Sequence, residues 1–269
     1  MLLSNFVLLN TSISSWFDWS QLPVLIGTLI CVLIVLYTTF YQAGRRKFKM
    51  REIAGLRAVE DAIGRATEMA RPILFTPGWG GDIQRPTTIA SMNILSHIAE
   101  TTARYDCPLI YPTHDPVIMS VAQEVVAESY ARAGHPDRFQ SDNIRYVSSS
   151  QFGYAAAVDG LICRYEPSSI FLLGTFEAES LILAETGNSV GAIQIAGTDS
   201  TIQLSFFIVA CDYTLIGEEL FAASGYLSGD ESILASVRSQ DIIKVLIAFL
   251  LIAATLWATF DPDSSWWRF

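Results

Sequence analysis

The stretch "RPILFTPGWGGDIQRPTTIASMNIL", residues 71–95, sets Gly78, Gly80 and Gly81 between an apolar strand-like run and a helix-like run. That order suits a phosphate, because the amides of a glycine loop and the positive end of the next helix both attract an anion. A dinucleotide fingerprint needs a third glycine at the helix start, and Ile83 stands there instead. Asp82 adds negative charge where a phosphate would sit, Arg85 offsets it in part, and the lysine of a nucleoside-triphosphate loop is missing. A shaped turn carrying Trp79 is the stronger reading. The cofactor-binding alternative takes Gly78, Gly80 and Gly81 together with Thr175 and Thr198, which close two other strand candidates. No cofactor is expected.

A second chemistry is metal binding. Asp82, Asp115, Asp199 and Asp212, with His114 and Glu177 nearby, follow strand candidates, and an oxygen-rich set of this kind suits magnesium, calcium or manganese. Against it, Asp after a strand commonly caps the next helix, and Asp115 precedes Pro116, a favoured first helical residue. Nucleophilic catalysis is a third possibility: Ser148, Ser149 and Ser150 have only His114 as a base, and there is no G-x-S-x-G elbow. His97 and His135 fall away from that edge. Glu218 and Glu219 sit where a helix should begin, and the macrodipole accounts for them there. Glu219 beside Asp212 would be unfavourable unless protonated or bound to a cation.

These residues need a scaffold, and composition bounds it. The 269 residues are 51% apolar, with a net charge of −10. The mean hydropathy is +0.36. An acidic chain is a poor general partner for nucleic acid, whose binding rests on neutralising phosphates. The apolar excess points to segments in lipid. Cys31, Cys107, Cys163 and Cys211 form no C-x-x-C pair, so they read as reduced, mostly buried thiols rather than a zinc cage or disulfide framework.

Residues 22–41, "LPVLIGTLICVLIVLYTTFY", carry no charge and are long enough to cross a bilayer. Residues 242–260 form a second such run with one charge, Lys244, close enough to its start to snorkel. Arg45, Arg46, Lys47, Lys49 and Arg51 follow the first run, so the positive-inside rule places that side in the cytoplasm. Trp16, Trp19, Trp257, Trp266 and Trp267 then gather at or beyond the outer ends of both spans, as an interfacial belt requires. The organisation expected is an external segment (1–21), a first span (22–41), and a basic flank with an amphipathic connecting helix (42–70). A cytoplasmic α/β domain (71–238), a second span (242–260) and an external tail (261–269) follow. "MLLSNFVLLN" lacks the basic start and small-residue cleavage site of a signal peptide and is expected to be retained.

Within the domain, short apolar runs alternate with amphipathic stretches. The strand candidates are 73–77, 108–112, 144–148, 169–174, 192–197 and 206–211; the helix candidates are 87–104, 115–133, 150–165, 176–187 and 214–227. Ile53, Leu56, Val59, Ile63 and Ala66 mark the apolar face of the connecting helix, with Gly44 as a bend before the basic cluster. The fold class expected is α/β: a Rossmann-like, doubly wound, mainly parallel sheet of about six strands between two transmembrane helices. "TDSTIQLS" is too short for a helical crossover between the fifth and sixth candidates, so that pairing reads as antiparallel or as one bent element.

The basic-flanked span, the "TPGWGGDIQRP" loop, "CDYTLIGEELFAAS" and a closing span preceded by "SQDIIK" together resemble an uncharacterised family of bacterial membrane-anchored domains, over residues 22–260. The resemblance implies a bacterial inner-membrane location, and no activity. A domain tethered at both ends suits a subunit of a membrane assembly. The expected role is therefore non-enzymatic: a two-span protein that self-associates or scaffolds a larger complex. Its partners would be the bilayer and other copies or subunits, not nucleic acid. The alternative is a ligand- or metal-binding domain, with or without catalysis, using the acidic cleft at the strand ends.

Overall fold

Strands that are apolar without alternation must be covered on both faces, as the four central strands of a six-stranded sheet are here, whereas its two edge strands are partly exposed. The computed structural model describes residues 22–37, 54–229 and 231–260. After two helices, α1 (Leu22–Tyr37) and α2 (Ala54–Met69), come β1 (Ile73–Thr76), α3 (Pro86–Tyr105), β2 (Leu109–Thr113) and α4 (Pro116–Arg132). Then follow β3 (Ile144–Tyr146), α5 (Gln151–Tyr165), β4 (Ser169–Leu173), α6 (Glu179–Ser189), β5 (Ile193–Thr198) and α7 (Thr201–Ala210). The chain ends with β6 (Tyr213–Ile216), α8 (Glu218–Ser228) and α9 (Glu231–Phe260). The sheet order is β3-β2-β1-β4-β5-β6, and every pairing is parallel. Strand order reverses between β1 and β4, the point where open sheets of this type form a crevice.

Side chains alternate across the sheet. Ile73, Phe75, Phe171 and Leu173 enter one core with α2, α3, α4 and α8, whereas Leu74, Ile170 and Leu172 enter the other with α5, α6 and α7. In the first core Phe75 stacks between Tyr111 and Phe171, with ring centroids 5.7 and 6.1 Å away, tying β2, β1 and β4 together. Crossovers from β1 to β3 use one face and those from β3 to β6 the other, giving the doubly wound arrangement.

Three expectations are corrected. Residues 206–211 are not a strand: they end α7, the crossover that "TDSTIQLS" was too short to supply alone. A short apolar run does not reveal its period, and only Phe207 of this one is buried, the geometry of a helix resting one side chain on a sheet. The sixth strand is instead Tyr213–Ile216, taken from the start of the helix expected at 214–227, and it pairs parallel to β5. Third, α2 belongs to the α/β domain: Ala58, Val59, Ala62, Ile63 and Ala66 are buried in the core, and Ser169 Oγ–H donates to the Ala62 carbonyl at 2.8 Å.

The chain divides into two compact units, residues 48–234 and residues 1–47 with 235–269. Ile233–Leu256 of α9, most of it in the second unit, is long and apolar enough to cross a membrane, and its apolar side chains from Val245 to Leu256 are largely exposed. It starts before the expected 242. The other expected span is described only as α1, an apolar helix of 16 residues. Ile30, Leu33, Ile34, Tyr37 and Ile242 line one apolar cleft. Residues 1–21, 38–53 and 261–269 lie outside the described residues, and with them the end of the first span, Gly44, the basic cluster, Ile53, Trp16, Trp19, Trp266 and Trp267. The side chains of Leu56 and Trp257 lie outside them as well.

Phe171 is fully buried and carries the aromatic stack. Phe171→Ala should therefore destabilise the domain by about 3–5 kcal/mol, seen as a lower thermal midpoint of the full-length protein in detergent.

Candidate functional site

Where β1 and β4 lie side by side, with Thr76 opposite Leu172, the chain leaves each strand through glycine. Gly78 has φ +80° and Gly174 has φ +152°, conformations that side chains resist. A Cβ on Gly78 would overlap the Thr175 carbonyl, and one on Gly174 would overlap the Pro77 carbonyl. The two loops are zipped main chain to main chain: Thr175 N–H donates to Pro77 O and Gly80 N–H to Thr175 O, both at 3.0 Å. Gly78, Gly80, Gly81 and Thr175 are thus brought together as the sequence suggested, and their first task is this close approach.

Glu179, in the first turn of α6, has no exposed surface. Its carboxylate accepts the Trp79 N–H at 3.0 Å, the Glu177 N–H at 3.1 Å and the Gln151 side-chain amide at 2.9 Å. A buried charge needs such donors. They tie the loops after β1, β3 and β4 to one anion. Trp79 adds two links: its Nε1–H donates to Ser149 O at 2.8 Å, and its ring lies 6.0 Å from His114. His114 Nδ1–H donates to Gly78 O at 3.2 Å, since a carbonyl can only accept, and the ring meets Tyr154 edge-on. Tyr154 in turn bonds Thr76 Oγ1. Burial holds His114 below the usual histidine pKa, an effect the Gly78 bond only partly opposes.

The remaining sequence-predicted residues do other work. Asp82 Oδ1 accepts the N–H groups of Gln84 and Arg85, both at 3.0 Å, closing its own turn. Asp115 caps α4 through the Val117 N–H at 2.7 Å. Thr198 is buried at the end of β5 and takes the Ser200 N–H at 3.3 Å. Asp199 is exposed beside it. Asp212 precedes β6, so it lies at the amino edge of the sheet, where it accepts the Gln194 N–H at 2.8 Å. The misplaced sixth strand had put it at the carboxyl edge, with Glu219. Glu219 lies beyond the carboxyl end of β6 and takes the Ile216 N–H at 3.0 Å. No group of three or more His, Cys, Asp or Glu able to hold a metal occurs among the described residues.

The serine run also serves the backbone, with Ser150 capping α5 through the Gly153 N–H and Ser148 Oγ accepting the Ser150 N–H, both at 3.2 Å. Of the cysteines, Cys107 is buried and Cys163 exposed. Burial pushes the Cys107 thiol to about 11 and the Cys211 thiol to about 12, so neither is a thiolate near neutral pH. Glu179, Gln151 and Tyr154 were missed in the sequence, and Thr87 and Thr88, either of which was expected from it as the N-cap of α3, both lie inside the helix, whose N-cap is Arg85. The available signal was a second acid in "GTFEAE", which helix-start electrostatics explained equally well. The arrangement is therefore a rigid edge of main-chain amides and hydroxyls, not a set of paired acids and bases.

Compared with known proteins, residues 12–266 match a family described as a domain of unknown function (DUF6754). No curated protein and no solved structure matches.

Two outcomes follow from this geometry. Gly78→Ala should lower stability by roughly 2 kcal/mol or more, since the new methyl meets backbone. Gly134→Ala, with φ +84° and open space around it, should lose only about 1 kcal/mol; comparing thermal midpoints separates overlap from backbone conformation. Because His114 is held neutral in the fold but titrates near 6.5 when unfolded, its contribution is complete above about pH 6.5 and is lost as pH falls towards the folded value. The midpoint should drop as pH falls below about 6.5, and His114→Gln should flatten part of that slope, with His97, also lowered by burial, supplying another part.

Proposed function

We propose that the chain, which belongs to the DUF6754 family, is a non-enzymatic membrane protein whose Rossmann-like domain self-associates through the open β6 edge of its sheet, scaffolding a larger membrane complex. The observation that carries this reading is α7. It has no charged residue in a chain of net charge −10, and it is apolar on both sides. Phe207 faces the core, while Ile202, Phe206 and Val209, at i, i+4 and i+7, are 70%, 41% and 88% exposed. A helix that carries an apolar stripe on its outer face as well as its inner one is normally covered. Beside it β6 pairs with β5 alone among the described residues, and its exposed Tyr213 and Ile216 extend the apolar surface along a sheet edge. Two copies related by a two-fold axis would bury this strip mutually.

The anchoring half of the proposal rests on Ile233–Leu256, whose exposed apolar surface suits lipid, and on the apolar run that begins with α1. The cluster from Arg45 to Arg51 favours two spans with the α/β domain in the cytoplasm and both ends outside, at the inner membrane of a bacterial cell.

Native mass spectrometry of the full-length protein from mild detergent should give a discrete oligomer. Ile202→Asp with Val209→Asp should give monomers at an unchanged thermal midpoint, because both side chains are outside the core. A monomeric wild-type protein at every accessible concentration, or an unaltered stoichiometry in the double variant, would sink the proposal.

A further inference from the structure

α3 starts with a favoured proline, Pro86, but without a side-chain cap: its N-cap is Arg85, which makes no capping bond. A basic N-cap faces the positive end of the helix dipole, and the first N–H groups of any helix have no intrahelical acceptor. The one carboxylate of the preceding loop, Asp82, is engaged by Gln84 and Arg85 within its own turn. Two turn-building devices are therefore in place, yet the helix itself is left uncapped.

Two residues beyond Pro86, Thr88 is wholly buried, and its Oγ1 has no hydrogen-bond partner. An orphaned buried hydroxyl is unfavourable by about 1–3 kcal/mol. Its position shows what it lacks: Oγ1 is 2.7 Å from where a Cβ on Gly81 would stand. It therefore faces a narrow gap between the glycine loop and the first turn of α3, too small for a methyl group and covered by Gly81. The neighbouring Thr87 hydroxyl is already paired with Thr175 Oγ1 at 2.7 Å, which locks the far wall of the gap to the loop after β4. All of this lies beside β1 and β4, where the strand order reverses.

We propose that the first turn of α3, with Thr88 and Arg85, binds a phosphoryl group. An anion there supplies the acceptor that the α3 N–H groups and the Thr88 hydroxyl lack, and it neutralises Arg85. Gly81, which takes no part in the main-chain bonds between the two loops, is the cover that moves aside to admit it. The recognition is of phosphate rather than of a dinucleotide, for two reasons. Ile83 takes the place of the third glycine. Asp115, the acid at the end of β2 that would meet a ribose, is occupied in capping α4. The site is separate from the α7 and β6 surface, and its failure leaves that reading untouched.

Titration calorimetry on the detergent-solubilised full-length protein tests this with three probes: orthophosphate, ADP and adenosine. Orthophosphate and ADP should bind saturably at millimolar concentration or better and raise the thermal midpoint, whereas adenosine should do neither. Thr88→Val should fold with an unchanged or raised midpoint, since it removes an unpaired hydroxyl, yet lose about tenfold or more in affinity for both phosphate-bearing probes. Thr88→Ser should retain that affinity, and Arg85→Gln should weaken it. Absence of saturable phosphate or ADP binding to the wild-type protein, wild-type affinity in Thr88→Val, or binding of adenosine as tight as ADP would each overturn the proposal.

Discussion

The domain depends on two backbones passing within van der Waals distance where the strand order reverses. Pro77–Gly78 and Gly174–Thr175 leave adjacent parallel strands and turn toward each other, and each carbonyl occupies the space where the other loop's Cβ would project. No side chain can mediate so close a contact, and the main-chain hydrogen bonds between the loops use the closeness that glycine permits. Once that seam closes, the helices that start from it, α3 and α6, have their origins and directions set.

Glu179 extends the seam sideways. A buried carboxylate is tolerated because three donors from three segments converge on it, and for the same reason those segments are held in one arrangement. Trp79 then carries the constraint to the ends of β2 and β3, through His114 and Ser149. The carboxyl edge is thus a braced surface, in which the apparent catalytic side chains serve as caps, turns and links.

At the far end of the same sheet the physics is the opposite. The edge at β6 and α7 is uncharged and apolar in a strongly acidic chain, and its exposed stripe has the spacing of a helix face that expects a neighbour. The proposed assembly surface and the proposed phosphoryl site therefore draw on separate parts of one scaffold, joined by β4 and β5.

The sequence by itself determined the α/β class, the first five strands within a residue or two and the glycine loop as a turn built around Trp79, because each is a property of near neighbours: apolar runs, helical spacing and turn residues. The apolar face of α2 was legible for the same reason. Tertiary structure decided the sixth strand, since "FFIVAC" and "YTLI" are both short and apolar, and only the space beside β5 selects which one pairs. That choice moved Asp212 to the opposite edge and separated the acids that the sequence seemed to gather. It also decided that Glu179 is buried and that Thr88 is left without a partner, because burial and satisfaction depend on residues distant in the chain, which no local pattern encodes.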